Sequence, residues 1–202
     1  MSTDQLLNVF LANPSRNGKV DRRLHRKLDR FLAPLITASY YPKSQLILSS
    51  GQSADYLYFV EEGLARGFCF EPGKKKEITI YFWKEQSTIM IPESFFFREP
   101  SPVFIEVTPG TSLLQLSHHH LMDFISSNPE AEIISRNLVL QHREYEEMRY
   151  LHHSFRTAWE RYRQLLKEFP MIEQQVSKGV IASYLNITPQ SLSRMLRNHP
   201  HP

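Results

Sequence analysis

The feature that most constrains this chain is a change of hydrophobic period near residue 117. From about Ser39 to Ser117 the apolar residues fall in short β-rich runs: Gln45-Leu46-Ile47-Leu48, Tyr56-Leu57-Tyr58-Phe59-Val60, Gly67-Phe68-Cys69-Phe70, Glu77-Ile78-Thr79-Ile80-Tyr81-Phe82, Val103-Phe104-Ile105-Glu106-Val107 and Ser112-Leu113-Leu114-Gln115-Leu116. Turn signals separate them, among them YPKS, SSGQSAD, EEG, EPGKKK and TPGT. Many short strands at near-regular spacing favour a β-sandwich or jelly-roll barrel over a parallel α/β sheet. After Asn128-Pro129 the pattern is helical, and no glycine or proline appears until Pro170.

Within the helical stretch Ile134, Leu138, Gln141, Tyr145, Met148, His152 and Phe155 follow a 4-3 spacing, with Arg143, Glu144, Glu146, Glu147 and Arg149 on the other faces. A helix of this length cannot bury such a stripe along a small barrel from end to end. A dimer seam through Ile134, Leu138, Gln141, Tyr145 and Met148 is therefore expected, the alternative being one amphipathic helix lying on the barrel. Two short helices around NPSRNG, with Leu6, Leu7, Phe10, Leu24, Leu28 and Phe31 as apolar positions, are expected before the barrel. The basic run DRRLHRKLDR reads as a solvated helix face.

The class of protein is bounded by what is scarce. A single cysteine, Cys69, excludes an internal disulfide framework, a cysteine-held iron-sulfur cluster and a multi-cysteine zinc site. No apolar run approaches the roughly 20 residues of a membrane span, and the start MSTDQLLNVF lacks a signal-peptide layout, so a cytoplasmic protein without membrane contact is expected. His118, His119 and His120 are consecutive and point in different directions, so no metal site is expected there. The alternative that keeps His118 and His120 as a pair is a cupin-like metal enzyme or small-molecule carrier with a helical interaction tail. Paired catalytic carboxylates, a nucleophile-base pair and a phosphate-cradling glycine loop do not stand out, and the chain is not expected to be an enzyme.

The C-terminal part carries the functional signal. A helix from Thr157 to Phe169 precedes VSKGVIASYLNITPQSLSRMLRN, in which Ser177 suits the cap of a short helix and Asn186 the left-handed turn after it. Thr188 suits the next cap, with Pro189 at the first helical position. Two short helices around so tight a turn form a helix-turn-helix, whose second helix fits the major groove. Gln190 can pair with adenine, and Arg194, four residues on, with guanine. Thr188, Ser191, Ser193 and Arg197 can reach phosphates or base edges, with Lys178 a further phosphate contact. From Phe155 onward seven basic residues face three acidic ones, so 7 − 3 gives +4, against a formal +3 for the whole chain. A small helical interaction domain with an ordinary basic surface is the alternative.

These residues carry a resemblance. IASYLNITPQSLSRMLR resembles the winged helix-turn-helix signature of Crp/Fnr-type bacterial transcription regulators, and AWERYRQLLKEFP resembles the helix before it. YYPKSQLILSSGQSADYLYFVEEGLARGF resembles the first strands of the cyclic-nucleotide-binding β-roll, and SLLQLSHHHLMDFISSNPE its last strand and the entry to the long dimer helix. The resemblance implies an α+β architecture: N-terminal helices and a double-stranded β-helix or jelly-roll sensor over residues 1–128, a dimerisation helix over 129–154, and a winged helix-turn-helix over 155–202. It implies a homodimer on double-stranded DNA with a near-palindromic operator, with RNA polymerase as a candidate partner and an effector in the β-roll. The effector site departs from the family pattern. Glu93 can stand for the ribose-binding glutamate, but Pro92 replaces its glycine, and Ser101-Pro102-Val103 occupies the place of Arg-Ser-Ala. The phosphate loses its cation and Pro102 removes an N–H donor. Cyclic AMP is thus not the expected ligand. The candidate pocket residues are Glu93, Arg98, Ser101, Pro102 and Val103, for an effector of unknown class, while Phe95, Phe96 and Phe97 read as filled core or as a pocket lining.

Overall fold

The computed structural model describes residues 2–11 and 22–199; the expected NPSRNG break lies outside them. Two helices, α1 (Ser2–Leu11) and α2 (Arg22–Phe31), and a 3-10 turn (Ala33–Leu35) lead into eight strands. These are β1 (Thr37–Tyr41), β2 (Gln45–Leu48), β3 (Tyr56–Glu62), β4 (Leu64–Phe70), β5 (Glu77–Lys84), β6 (Thr88–Ile89), β7 (Phe104–Val107) and β8 (Thr111–Ser117), with helix α3 (Pro92–Phe96) between β6 and β7. The strands form two antiparallel sheets, in the orders β1-β8-β3-β6 and β2-β7-β4-β5. After α4 (His118–Ser127) and a 3-10 turn (Pro129–Ala131), α5 (Glu132–Phe155) runs for 24 residues. Four helices follow: α6 (Ala158–Glu168), α7 (Ile172–Gln175), α8 (Lys178–Tyr184) and α9 (Pro189–Asn198).

Strand β3 shows why this pattern makes a covered roll. Its run Tyr56-Leu57-Tyr58-Phe59-Val60 has apolar residues on both faces, and both are buried. Tyr58 and Val60 point between the sheets, toward Ala65, Trp83, Ile105 and Val107, whereas Leu57 and Phe59 point outward into a second core. That second core is closed by Leu6, Leu7 and Phe10 of α1, Leu24 and Leu28 of α2, and Leu121 of α4. A strand with helices on one side and a sheet on the other loses the simple alternation of a half-exposed strand. The other sheet carries a buried cation on its outer face. Arg66 pairs with Glu77 at 2.6 Å and Glu106 at 2.8 Å, across strands, and its guanidinium lies 4.2 Å from the Phe68 ring centroid.

The expected dimer seam is corrected here. Ile134 and Leu138 are fully buried in the core that contains Leu6, Leu7 and Phe10 of the same chain. Asn137 Nδ2 donates to the Phe10 carbonyl (3.0 Å) and Gln141 Nε2 to the Val9 carbonyl (3.0 Å), satisfying groups that the end of α1 leaves without helical partners. Tyr145 packs on the roll, its hydroxyl accepting from Phe82 N–H at 3.2 Å. Of the five seam residues only Met148 is largely exposed. The 4-3 stripe faces inward because α1 supplies the second wall that the small roll lacks.

The C-terminal helices contain no strand among the described residues, so the expected wing has no strand counterpart there. The helical part packs directly on the roll: Leu64 and Phe82 from β4 and β5 share a core with Tyr162, Leu165, Phe169, Ile181 and Leu185. Asn137 is one of the points at which the N-terminal helices are tied to α5. Replacing it with alanine leaves the Phe10 carbonyl buried and unbonded, so Asn137→Ala is expected to lower stability by about 1–3 kcal/mol in urea unfolding. Amide exchange should rise selectively in α1.

Candidate nucleic-acid interface

The helix-turn-helix is fixed by short-range chemistry. Ser177 caps α8, its hydroxyl accepting from Val180 N–H at 3.3 Å. The end of α8 is a complete Schellman motif: Asn186 adopts φ +54°, its N–H bonds to Ser183 O at 3.0 Å, and the Ile187 N–H reaches Ala182 O at 3.0 Å. Thr188 then caps α9, accepting from Ser191 N–H at 3.1 Å, with Pro189 in the first turn. Leu192 is buried and Met195 and Leu196 pack beside it, which turns Gln190, Arg194 and Arg197 to the opposite, exposed face. Thr188 and Ser193 are also exposed, Ser191 is half-buried, and Lys178 is exposed at the start of α8.

Two side chains of α6 and one of α8 hold the motif in place. Arg161 of α6 donates to Leu185 O at 2.8 Å and Arg156 O at 2.6 Å, which gives the last carbonyl of α8 a cationic donor. One of the seven basic residues counted toward phosphate is therefore used inside the protein. Trp159 stacks on His199 at 4.4 Å between centroids, tying the end of α9 to the start of α6. Ser183 of α8 accepts from the Thr79 N–H at 2.8 Å and donates to Glu77 O at 3.1 Å. Strand β5 is at the edge of its sheet, so Ser183 fills backbone positions that a neighbouring strand would otherwise take.

Beneath α8 the junction with α5 is aromatic and desolvated. The hydroxyls of Tyr145 and Tyr184 lie near each other, and burial pushes both upward from their ordinary range. His153 meets Tyr184 edge-on, and burial, reinforced by Arg149 and Arg161, lowers it to about 4. His153 is thus neutral at pH 7. In sequence Tyr145 stands out only as a position of the 4-3 stripe.

The residues expected at the effector pocket are not brought together. A cavity of about 440 Å³ opens into the roll, with Ile47, Tyr58, Ile89, Ile91 and Ile105 on its wall, and of the expected set only Arg98 lines it. Arg98 has φ +60° and its guanidinium is occupied by Asp55 and the Ala54 carbonyl. Ser101 is buried and turned onto its own loop, its hydroxyl donating to Val103 O at 2.8 Å and its N–H to Gln52 O at 2.8 Å. Val103 joins the roll core, while Pro102 and Glu93 face solvent. Of the three phenylalanines Phe95 is core, Phe96 packs beside it and Phe97 is exposed; none lines the cavity.

His118, His119 and His120 form the first turn of α4, capped by Ser117, and diverge: His118 packs on Phe95, and His119 pairs with Asp123 at 3.1 Å. Among the described residues no group of three or more His, Cys, Asp or Glu is placed to hold a metal ion, and no helix is long and apolar enough to cross a membrane.

No protein-family model matches the sequence, and no curated protein matches it. Solved structures do match. FixK2 from Bradyrhizobium japonicum is 19% identical, with a TM-score of 0.67 over 81% of this chain and 83% of that one. The c-di-GMP-responsive global regulator CLP of Xanthomonas campestris is 17% identical, with a TM-score of 0.64 over 86% and 90%. A protein of Eubacterium rectale assigned to the Crp/Fnr family of transcriptional regulators is 15% identical, with a TM-score of 0.67 over 85% and 82%. With the two-sheet roll, the long α5 and the capped α8–α9 pair in the same chain, the molecule has the Crp/Fnr-type regulator fold.

Proposed function

We propose that this protein is a non-enzymatic, sequence-specific DNA-binding transcription regulator that acts as a homodimer. The observation that carries the reading is the outer face of α9, where Gln190, Arg194 and Arg197 stand exposed on a helix capped at its start and braced at its end. A rigid helix presenting an amide and two guanidiniums matches the donor and acceptor pattern of the major groove. Lys178 and the exposed basic residues of α6 supply phosphate contacts. The likeness to regulators of this fold supports the same reading.

The dimer contact belongs on the face of α5 opposite the buried stripe. Leu140, Arg143, Glu147 and Tyr150 repeat there at 3-4-3 spacing, flanked by Val139 and Leu151, and Tyr150 is 70% exposed. Two copies related by a two-fold axis along this face present two reading helices, as a near-palindromic operator requires. The effector is not cyclic AMP in this reading, because Arg98 is already paired and Pro102 offers no N–H.

Two measurements test these assignments. In selection from a random duplex pool, Arg194→Ala and Gln190→Ala should each lose about 1–3 kcal/mol of discrimination at one operator position. Lys178→Ala should instead weaken all sequences alike and reduce the salt slope by about one. A wild-type protein that selects no sequence, with or without cell extract, overturns the regulator reading. In sedimentation, the Leu140→Glu/Leu151→Glu double variant should be monomeric where the wild type is dimeric. Leu138→Ala should leave association intact and cost about 2–5 kcal/mol of folding stability.

A further inference from the structure

A second cavity of about 360 Å³ lies where α1, the turn between β5 and β6, and α5 converge. Its walls are Val9, Trp83, Met90, Leu138, Gln141, His142 and Tyr145, with Gln86, Ser87 and Thr88 at the turn. Met90 is also part of the first cavity's wall. The size is within the range of small-molecule sites, about 300–1,000 Å³.

Three properties define what such a site accepts. None of the lining residues is Asp, Glu, Lys or Arg, whereas the first cavity has both Asp55 and Arg98 on its wall. The one titratable imidazole, His142, is held below its ordinary value by burial, against the opposing pull of Glu146 and Glu93, so it adds no charge at pH 7. The wall is aromatic and polarisable: Trp83 stacks on Tyr81 at 5.2 Å, and Tyr81 in turn meets His142 at 5.7 Å and Tyr145 at 5.8 Å. A charged guest would lose its hydration here with no charged side chain on the wall, the Glu146 carboxylate behind His142 already accepting from the Tyr81 hydroxyl at 2.7 Å. A flat apolar guest would gain ring contacts on several sides.

The position also links the cavity to the reading helices. Tyr145 is a wall residue, its hydroxyl accepts from the Phe82 N–H of β5, and the Phe82 ring meets that of Tyr184 of α8 at 4.8 Å. Ser183, next to Tyr184, is the residue that docks α8 on the β5 edge. A guest that shifts the Tyr145 ring acts on the same few bonds that set where α8 sits.

We propose that this second cavity binds an uncharged aromatic small molecule, and that its occupancy is relayed to the helix-turn-helix through Tyr145. The relay rests on the DNA-binding reading; the cavity does not.

Full-length protein titrated calorimetrically with indole and with indole-3-acetate tests the site. Indole should bind saturably, the acetate about ten-fold or more weakly, and Ser87→Trp, which plugs the rim, should weaken indole by about ten-fold or more. Thr88→Phe is a second plug should Ser87→Trp disturb the turn. Absence of indole binding, equal binding of the acetate, or indole binding that survives both plugs overturns the site. For the relay, saturating indole should change operator affinity by about five-fold or more in the wild type, and Tyr145→Phe should bind indole yet lose that response. Operator affinity that ignores indole in the wild type, or that responds equally in Tyr145→Phe, overturns the relay. A protein that selects no DNA overturns the regulator reading and the relay with it, while the calorimetric arm still decides the cavity.

Discussion

The inward side of α5 is the surface on which the rest of the molecule depends. Ile134 and Leu138 close the core that α1 and α2 make over the roll, Asn137 and Gln141 take the last carbonyls of α1, and Tyr145 holds the Phe82 backbone. The backbone between α5 and α6 is extended at Arg156, so chain connection alone does little to orient the helices that follow. Their orientation comes from side chains. Leu64 and Phe82 of the roll lie in the same core as Tyr162 and Ile181, with hydrogen bonds from Ser183 and a Phe82–Tyr184 ring contact at its margin. One helix face thereby sets the positions of both the roll and the α8–α9 pair.

This explains what sequence could and could not reveal. The 4-3 stripe was legible because periodicity reports that a face is covered; it does not report by what. The covering elements were α1 and β5, and the clue was Gln141, which is a poor seam residue but a good donor to a helix C-terminus. Ser177, Asn186 and Thr188 were legible in full, since caps and left-handed turns are decided within four or five residues. Ser101 was not, because its inward turn depends on a hydrogen bond to Gln52, about fifty residues away. Arg161 shows the limit of counting charge: a cation that looks available for phosphate is spent on Leu185 O. The strands β1 and β6, missed in sequence, run into a turn signal or are only two residues long, and they are defined by their pairing with β8 and β3.

The contact between α8 and the roll has a scale that suits regulation. Ser183 exchanges two hydrogen bonds with an exposed sheet edge, each worth about 1 kcal/mol net. The roll's share of the common core is Leu64 and Phe82, each about 1.5–3 kcal/mol if withdrawn from water. The dock is therefore stable but modest, a small part of the chain's total burial. Coupling free energies between ligand sites are typically about 1–3 kcal/mol, enough to bias such a dock without unfolding either side. A helix-turn-helix joined by a larger apolar interface would be fixed, and one joined only by the Arg156 link would be uncoupled. The mixed contact through Ser183, Tyr184 and Phe82 lies between these limits, as the proposed relay through Tyr145 requires.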